Sequence, residues 1–434
     1  MKGKMKKVTA MTMAAAMTMS MAAVPVLADE EKTTIRITWW GGQSRHDYTQ
    51  QILDLYTESH PNIEFEASPS GWDGYFEKLS TQTASGSMPD IVQMDYLYIA
   101  TYAKNGSVAD LQPYMDDGTI DVSNIDEKLL STGESNGIMA GAVLSSGFNA
   151  FGYNPDVLEE AGVEEPTNDW TWSDFIDMAT TVKEKTGKWG ASTDPVLDTN
   201  DFNYWVRQHG ESLFSEDNKS LGYEDDAILA DFLTMWKDLM DAGVVPNPDE
   251  YSQIDTLGQE ASPIVTGDGA FISERNNYAA KLSSVNDKLK VVLPPQSDDD
   301  SDAKGLWMKP GMFFSIAETS EVKDECAEFI NWFINSEEAN EIMMAERGIP
   351  ASSSVRDYML ENCELNQQQK DMFDLMDAAV DYCGETPAPD PVGIAEVNAA
   401  LKNIADSVFY GQTTAEEGAA QFREEANEIL ERNN

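Results

Sequence analysis

The stretch TIRITWWGG, residues 34–42, decides the fold of this chain. Its apolar residues Ile35, Ile37 and Trp39 alternate with other side chains, which predicts a strand with one buried face. The two glycines end the strand, and residues 48–56 then carry apolar side chains at helical spacing. A strand followed closely by a helix is the first unit of an α/β fold.

The same order of strand and helix continues along the chain. Residues 63–67 predict a second strand, residues 75–83 a helix, and residues 90–94 a third, buried strand. This alternation predicts a mainly parallel sheet. Ligands of such sheets bind beyond the carboxyl ends of the strands, which points to residues 41–46 and 95–96 as a candidate site.

The rest of the chain predicts more helix than strand. Thr171 and Asp174 form a capping box ahead of one helix, and Thr413 with Glu416 predicts another near the C-terminus. There is no internal repeat and no long linker between independent domains. The pattern suits two lobes that the chain crosses several times.

The first 28 residues have the features of a signal peptide. Four lysines between residues 2 and 7 precede an uncharged run from residue 8 to residue 27, and Ala28 is followed by three acidic residues. We expect cleavage after Ala28 and export, so that the protein works outside the cytoplasm: secreted, cell-surface or periplasmic.

Charge and composition exclude several classes of function. The formal net charge is −48, and a surface this acidic repels nucleic acid. The three histidines lie far apart and no motif suggests a metal site, so we expect no metal and no cofactor. Cys326 lies in an apolar helical pattern and is expected in the core, whereas Cys363 and Cys383 could pair or stay free.

Several stretches, taken in order, identify a family. They are residues 39–42, 45–46, 71–79, 84–95, 152–162, 170–172, 313–316 and 346–350. Together they resemble the extracellular solute-binding proteins of bacterial ABC sugar importers, the maltose-binding-protein-like family 1. The resemblance spans almost the whole chain after the leader.

The resemblance implies an α/β, two-lobed periplasmic-binding-protein-like fold with a multi-strand hinge and a ligand cleft between the lobes. On this sequence, lobe one takes residues 29–146 and 296–350, and lobe two takes 147–295 and 351–434. A protein of this kind captures a carbohydrate, as a monomer without catalysis, and delivers it to the transmembrane permease subunits of an ABC transporter.

A carbohydrate site needs flat aromatic surfaces for the sugar faces and polar planar groups for the hydroxyls. Some candidates lie at strand ends or in loops after strands, and others are aromatic residues or sit near the lobe crossings. The candidate ligand-binding residues are Gln43, Arg45, His46, Trp72, Asp95, Asn149, Trp205, Glu274, Arg275, Asn276 and Trp307. Each also has a plain structural interpretation, such as a helix cap, a solvated turn or a core ring.

Two other functions fit parts of the sequence. An exported carbohydrate-active hydrolase would also need tryptophans and a pair of carboxylates. A binder of a non-sugar solute such as a polyamine would use the acidic charge and an aromatic cage. Turnover of oligosaccharides would distinguish the enzyme from a binder, which would give only a stoichiometric thermal shift.

Overall fold

The computed structural model describes residues 32–433 except 73, 257–260, 276–284 and 300–301. The predicted signal peptide therefore lies outside the described residues. Within those ranges, no helix combines the length and the apolar character that crossing a bilayer requires.

The strands fall into two main sheets and one small hairpin. In chain order they are β1 (Thr33–Thr38), β2 (Ile63–Ala67), β3 (Ile91–Met94), β4 (Glu134–Ser135), β5 (Ile138–Met139), β6 (Ala142–Gly147), β7 (Asn149–Tyr153), β8 (Trp189–Ala191), β9 (Gly269–Arg275), β10 (Lys290–Val292), β11 (Lys309–Ile316) and β12 (Ile349–Pro350). We call the part built on the six-stranded sheet lobe one and the part built on the four-stranded sheet lobe two.

The sheet of lobe one has the order β12-β6-β11-β3-β1-β2. Strand β1 pairs in parallel with β2 and β3, but β11 runs antiparallel to both β3 and β6, and β12 is antiparallel to β6. The prediction of a mainly parallel sheet is therefore wrong beyond the first three strands. Strand β11 comes directly after β10 of the other lobe and not through a crossover helix, so it is free to run in the opposite direction.

Lobe two is built on the order β10-β7-β9-β8. Strands β7 and β9 are antiparallel, and β8 and β9 are parallel. The chain passes from β6 of lobe one through Phe148 into β7 of lobe two, and later from β10 to β11 in the reverse direction. The predicted lobe limits at residues 146, 295 and 350 stay a prediction.

Helices cover both sheets. In lobe one and near the hinge they are α1 (Gln43–Ser59), α2 (Tyr75–Ala84), α3 (Tyr96–Lys104), α4 (Gln112–Asp116) and α5 (Glu127–Leu130), and those of the middle third are α6 (Pro155–Ala161), α7 (Trp172–Thr186), α8 (Asn200–Gln208), α9 (Ala227–Asp241), α10 (Pro248–Thr256) and α11 (Pro263–Thr266). The last ones are α12 (Lys323–Asn335), α13 (Glu337–Met343), α14 (Ser353–Asn362), α15 (Gln367–Tyr382), α16 (Ile394–Phe409) and α17 (Ala415–Asn433). Helix α12 contacts β11 of lobe one, whereas α16 and α17 pack against α9 of lobe two.

The core follows the sequence pattern of the first strand. Ile35, Ile37 and Trp39 are all buried on one face of β1 and its continuation, as the alternation predicts. Cys326 is also buried, which confirms its predicted place in the core. Cys363 and Cys383 are free thiols, so the possible disulfide is not formed.

The predicted N-terminal caps are right for one helix and wrong for another. Thr171 and Asp174 form the predicted capping box of α7. Helix α17 begins at Ala415, so its cap is Thr414, whose hydroxyl accepts from the Glu417 N–H at 3.1 Å. The pair predicted at Thr413 and Glu416 is therefore wrong by one residue.

Helix α1 begins earlier than its apolar pattern indicates. Gly42 is its N-cap in an extended conformation, without a side-chain cap. The expected loop at residues 41–47 therefore shrinks to two glycines, because α1 takes residues 43–47 as its first turn. This change places Arg45 and His46 on a helix, where their directions are fixed by the helical turn.

Candidate functional site

A cavity of about 540 Å³ lies where the chain crosses from lobe one to lobe two. We call it the cleft cavity. The side chains that give it polar or aromatic character are Arg45, Asp95, Asn149, Asn200, Trp307, Lys309, Glu346, Arg347 and Gln369. Because elements of both lobes supply them, a molecule held there would contact both lobes at once.

Arg45 reaches the cleft cavity from the first turn of α1. Its Nε donates to Glu346 Oε2 at 3.0 Å, and a terminal nitrogen donates to the backbone oxygen of Trp40 at 3.3 Å. The Tyr48 hydroxyl donates to the same Glu346 oxygen at 2.5 Å. A Cβ on residue 41 would lie 2.5 Å from Arg45 Cδ, so Gly41 is what leaves room for this side chain.

Arg347 is a buried cation beside the cavity. It donates to the Gln93 side-chain oxygen and, at 2.9 Å, to Thr49 Oγ1. Among the described residues no carboxylate accepts from it, and its Nε has no partner. Its guanidinium also lies 5.5 to 5.8 Å from the rings of Tyr48, Phe314 and Phe333. Burial lowers the pKa of Arg347 to about 10, which leaves it charged at neutral pH.

Asp95 lies at the carboxyl end of β3, as the strand-end argument predicts. Its carboxylate accepts from the Leu97 N–H at 2.9 Å and caps α3. Burial raises the pKa of Asp95, while this hydrogen bond and the nearby Lys309 ammonium oppose the rise. Lys309 begins β11 and is exposed. The structural and the ligand-facing interpretations of Asp95 are thus compatible, because it caps a helix and lines the cavity.

Asn149 lies at the start of β7, on the lobe-two side of the crossing. Its Nδ2 is buried and has no hydrogen-bond partner among the described residues. A buried donor without a partner costs about 1–3 kcal/mol, so a ligand oxygen that accepts from it would gain that amount. Asn149 and Asn200 also line a second, smaller cavity of about 70 Å³ that adjoins the first.

Trp307 lines the cleft cavity from the segment between the lobes. The Arg207 guanidinium lies 5.3 Å from the centre of its ring. Arg207 in turn donates to the backbone oxygens of Gly305 at 3.1 Å and Glu385 at 2.6 Å. The indole is thus held in place from behind, and little of it is exposed.

Trp72 is the most exposed of four clustered aromatic rings at the same edge of lobe one. Trp72 is 45% exposed, and its ring centre lies 5.2 Å from Trp40 and 5.6 Å from Phe76. Phe76 and Tyr98 stack at 3.7 Å. We call Trp40, Trp72, Phe76 and Tyr98 the aromatic rim. They follow β1, β2 and β3, so the rim lies along the carboxyl ends where Arg45 and Asp95 also lie.

Other predicted residues lie away from the cleft cavity. Gln43 donates to Asp47 on the exposed side of α1, and His46 Nδ1 accepts from Trp39 Nε1 at 3.2 Å. Trp205 donates to the Ile228 backbone oxygen and packs 5.5 Å from Trp172. Its aromatic patch is therefore part of the packing of lobe two.

The predicted group at the end of β9 is only partly described. The backbones of Ala150 and Asn149 pair with those of Glu274 and Arg275. The side chains of these two residues, and the whole of Asn276, lie outside the described residues.

Sequence reasoning missed four of the polar lining residues that matter most: Asn200, Lys309, Glu346 and Arg347. The signal for two of them was present, because residues 346–350 belong to the stretches that carry the family resemblance. Lys309 and Asn200 have no such signal, since each begins an ordinary strand or helix. Within the described ranges no group of His, Cys, Asp and Glu is arranged to hold a metal ion.

The chain resembles known binding proteins in sequence and in structure. A solved extracellular solute-binding protein family 1 from Alicyclobacillus acidocaldarius is 30% identical, with a TM-score of 0.83 over 92% of this chain and 99% of that one. A periplasmic oligogalacturonide binding protein from Yersinia enterocolitica is 25% identical, with a TM-score of 0.76 and the same coverage. A lactose-binding protein of Rhizobium radiobacter is 29% identical over 192 residues, which is 42% of this chain and 43% of that one.

The chain spans about half the length of the curated relatives that it matches, 55% for a putative ABC transporter periplasmic-binding protein of Escherichia coli. The profile described as bacterial extracellular solute-binding protein matches residues 42–340, which is more than half of the chain. Fold and profile agree: the chain belongs to the bacterial extracellular solute-binding protein family.

Proposed function

We propose that this protein captures a carbohydrate in the cleft cavity and delivers it to the permease subunits of an ABC importer. The proposal rests on one observation: polar side chains from both lobes and the indole of Trp307 line one cavity, beside the aromatic rim. Sugar faces stack on aromatic rings, and sugar hydroxyls match amide, carboxylate and guanidinium groups. Relatives whose names state a ligand bind lactose, arabinooligosaccharides or oligogalacturonide, which supports this class of ligand.

The cleft is better suited to binding than to hydrolysis. Glycoside hydrolysis requires one carboxylate to deliver a proton and a second to act as base or nucleophile. Two carboxylates are among the described lining residues of the cleft cavity. Asp95 caps a helix, and Glu346 accepts hydrogen bonds from Arg45 and Tyr48. The family is one of binding proteins, and we propose that this chain likewise has no catalytic activity.

The charges of the cavity also favour a sugar over a polyamine as the ligand. Arg45, Lys309 and Arg347 all line the cleft cavity. A polycation would be repelled by these three groups, whereas sugar hydroxyls accept hydrogen bonds from them. The cleft cavity therefore does not share the strongly negative charge of the chain as a whole.

We expect a carbohydrate to stabilise the protein and to close the lobes. A panel of mono- and oligosaccharides, with a polyamine as control, should give a ligand whose added stability follows mass action, about 2.7 kcal/mol at a hundredfold excess over Kd. The radius of gyration from solution X-ray scattering should fall with the same ligand, because hinge closure buries it between the lobes. Steady release of product from any oligosaccharide would instead show an enzyme, and a ligand that leaves the radius unchanged would contradict closure.

We also propose that the protein acts outside the cytoplasm. The support is the basic and then uncharged leader that ends at Ala28, together with the extracellular character of the family. The intact mass of exported material should correspond to a chain that begins at Asp29. A mass that still includes the lysines of residues 2–7 would show that the leader is retained.

A further inference from the structure

We infer that the preferred ligand is a saccharide with a single carboxylate at one end, held against Arg45, Lys309 and Arg347, and with uncharged sugar units that extend past Asn149 toward the smaller cavity. This inference rests on the proposed function and adds the charge of the ligand and its direction in the cleft. It follows from an uneven distribution of charge along two adjoining cavities.

The cleft cavity is positive in a protein that is otherwise strongly negative. The chain has 29 basic and 77 acidic residues. Yet the charged residues among the described lining of this cavity are three cations, Arg45, Lys309 and Arg347, and two carboxylates, Asp95 and Glu346. A carboxylate placed among them would bring the local charge into balance, and charge-assisted hydrogen bonds are stronger than neutral ones.

The excess of positive charge is costly mainly because Arg347 is buried. The side chain is buried, and its described hydrogen bonds go to an amide oxygen and a hydroxyl, not to a carboxylate. A buried charge without a counter-ion is costly because water is excluded from it. Glu346, the nearest candidate in sequence, accepts bonds from Arg45 and Tyr48 instead. An anionic ligand in the cleft cavity would act on Arg347 through a low-dielectric interior, where charges interact more strongly than in water.

The smaller cavity has the opposite charge. Asp194, Asp198 and Asp201 line it, and no cation is among its described lining residues. Lys402 lies behind, 3.5 Å from Asp194, but it also donates to Asp406 at 2.6 Å. A second carboxylate there would be repelled, whereas neutral hydroxyls can donate to aspartate oxygens.

Asn149 and Asn200 join the two cavities because they line both. An amide side chain can donate and accept, which suits a sugar ring better than a charged group. The buried Nδ2 of Asn149 has no partner in the part of the chain that the structure describes, and it can donate to a hydroxyl at this junction. The ligand that fits the whole path is therefore anionic at the cationic end and neutral beyond the two asparagines.

The test compares matched saccharides by isothermal titration calorimetry on the full chain. Each neutral sugar is paired with a relative that carries one carboxylate, such as lactose with lactobionate and xylotriose with a singly glucuronosylated xylotriose, and digalacturonate is the doubly charged probe. We expect the singly charged member of every binding pair to bind roughly 10- to 100-fold more tightly than its neutral partner. Digalacturonate should bind less tightly than the best singly charged ligand.

The variant that tests the cationic end is Lys309→Gln, because Lys309 is exposed and its loss should not affect folding. Affinity for the singly charged ligand should fall several-fold more than affinity for its neutral partner, because only the former loses an ion pair, and added salt should weaken mainly the former. Lys219→Gln, an exposed lysine on a turn of lobe two that lines neither cavity, is the matched control and should change neither affinity.

Each outcome decides a separate point. Neutral sugars that bind as tightly as their charged partners would overturn the inference and leave the proposed function standing. Digalacturonate as the tightest ligand would contradict the opposite charge of the two cavities. Asp201→Asn should bind digalacturonate more tightly than the unmodified protein does. If this variant still prefers the singly charged ligand over digalacturonate to the same degree, the opposite charge of the two cavities is likewise contradicted. If no saccharide binds at all, the proposed function itself fails.

Discussion

Trp236→Ala is expected to lower the free energy of unfolding by about 3–5 kcal/mol, the usual loss for truncating a fully buried tryptophan. Trp236 lies on α9 and is 1% exposed. Its ring centre is 5.7 Å from Phe175 and 6.3 Å from both Trp172 and Phe232. Removal of the indole would leave a cavity that these large rings cannot fill by small movements. Urea denaturation followed by circular dichroism would measure the loss.

Two further variants serve as controls for the loss of stability in Trp236→Ala. Trp236→Phe should lose less, because most of the ring volume is kept and because it removes the indole Nε1, which has no partner among the described residues. Trp332→Ala, on α12 of lobe one, should also lose less, because Trp332 is only partly buried. Sugar affinity of Trp236→Ala at low temperature should match that of the unmodified protein. If it falls while stability holds, Trp236 belongs to the site and not to the core.

The local pattern of the sequence predicted the elements that depend on short-range physics. The alternation of Ile35, Ile37 and Trp39 identified the buried face of β1, because side chains of a strand alternate between two sides. The pair Thr171 and Asp174 identified the start of α7, because both bonds of a capping box are made within four residues. These features require no knowledge of distant parts of the chain.

Features that depend on distant parts of the chain were less accessible. The antiparallel entry of β11 between β3 and β6 is decided by how the chain returns from lobe two, which no local pattern records. Strand-end reasoning found Arg45 and Asp95, because the ends of neighbouring strands meet at one edge. It could not find Arg347, which reaches the cavity from a segment about three hundred residues further along the chain.

Trp205 and Trp72 also show what the sequence alone cannot predict, namely which of two tryptophans lies at the cleft. Both are tryptophans in aromatic-rich surroundings, so composition alone cannot distinguish them. The structure places Trp205 against Trp172 and Phe232, within the packing of lobe two. Trp72 instead follows β2 at the cleft edge and is the most exposed member of the aromatic rim.

Trp72→Ala is expected to weaken carbohydrate binding by about 1–3 kcal/mol, the scale for burying a large apolar side chain. The exposed indole offers a flat face at the carboxyl ends of the strands, and Trp40 and Phe76 hold its position by edge contacts. The melting temperature should hardly change, because a side chain that is 45% exposed contributes little to the core. Calorimetric titration with the sugar found in the panel would measure the effect.

The matched control is Tyr410→Ala, which truncates an aromatic side chain of almost equal exposure, 46%, just after helix α16. Tyr410 lines neither cavity, so its loss should leave affinity unchanged. Normal binding by Trp72→Ala would remove the aromatic rim from the site, and the ligand would then depend on the cleft cavity alone. A fall in melting temperature with unchanged affinity would show that the rim serves the packing of lobe one. Loss of affinity in Trp72→Ala alone, at constant stability, is the result that a sugar face stacked on this ring requires.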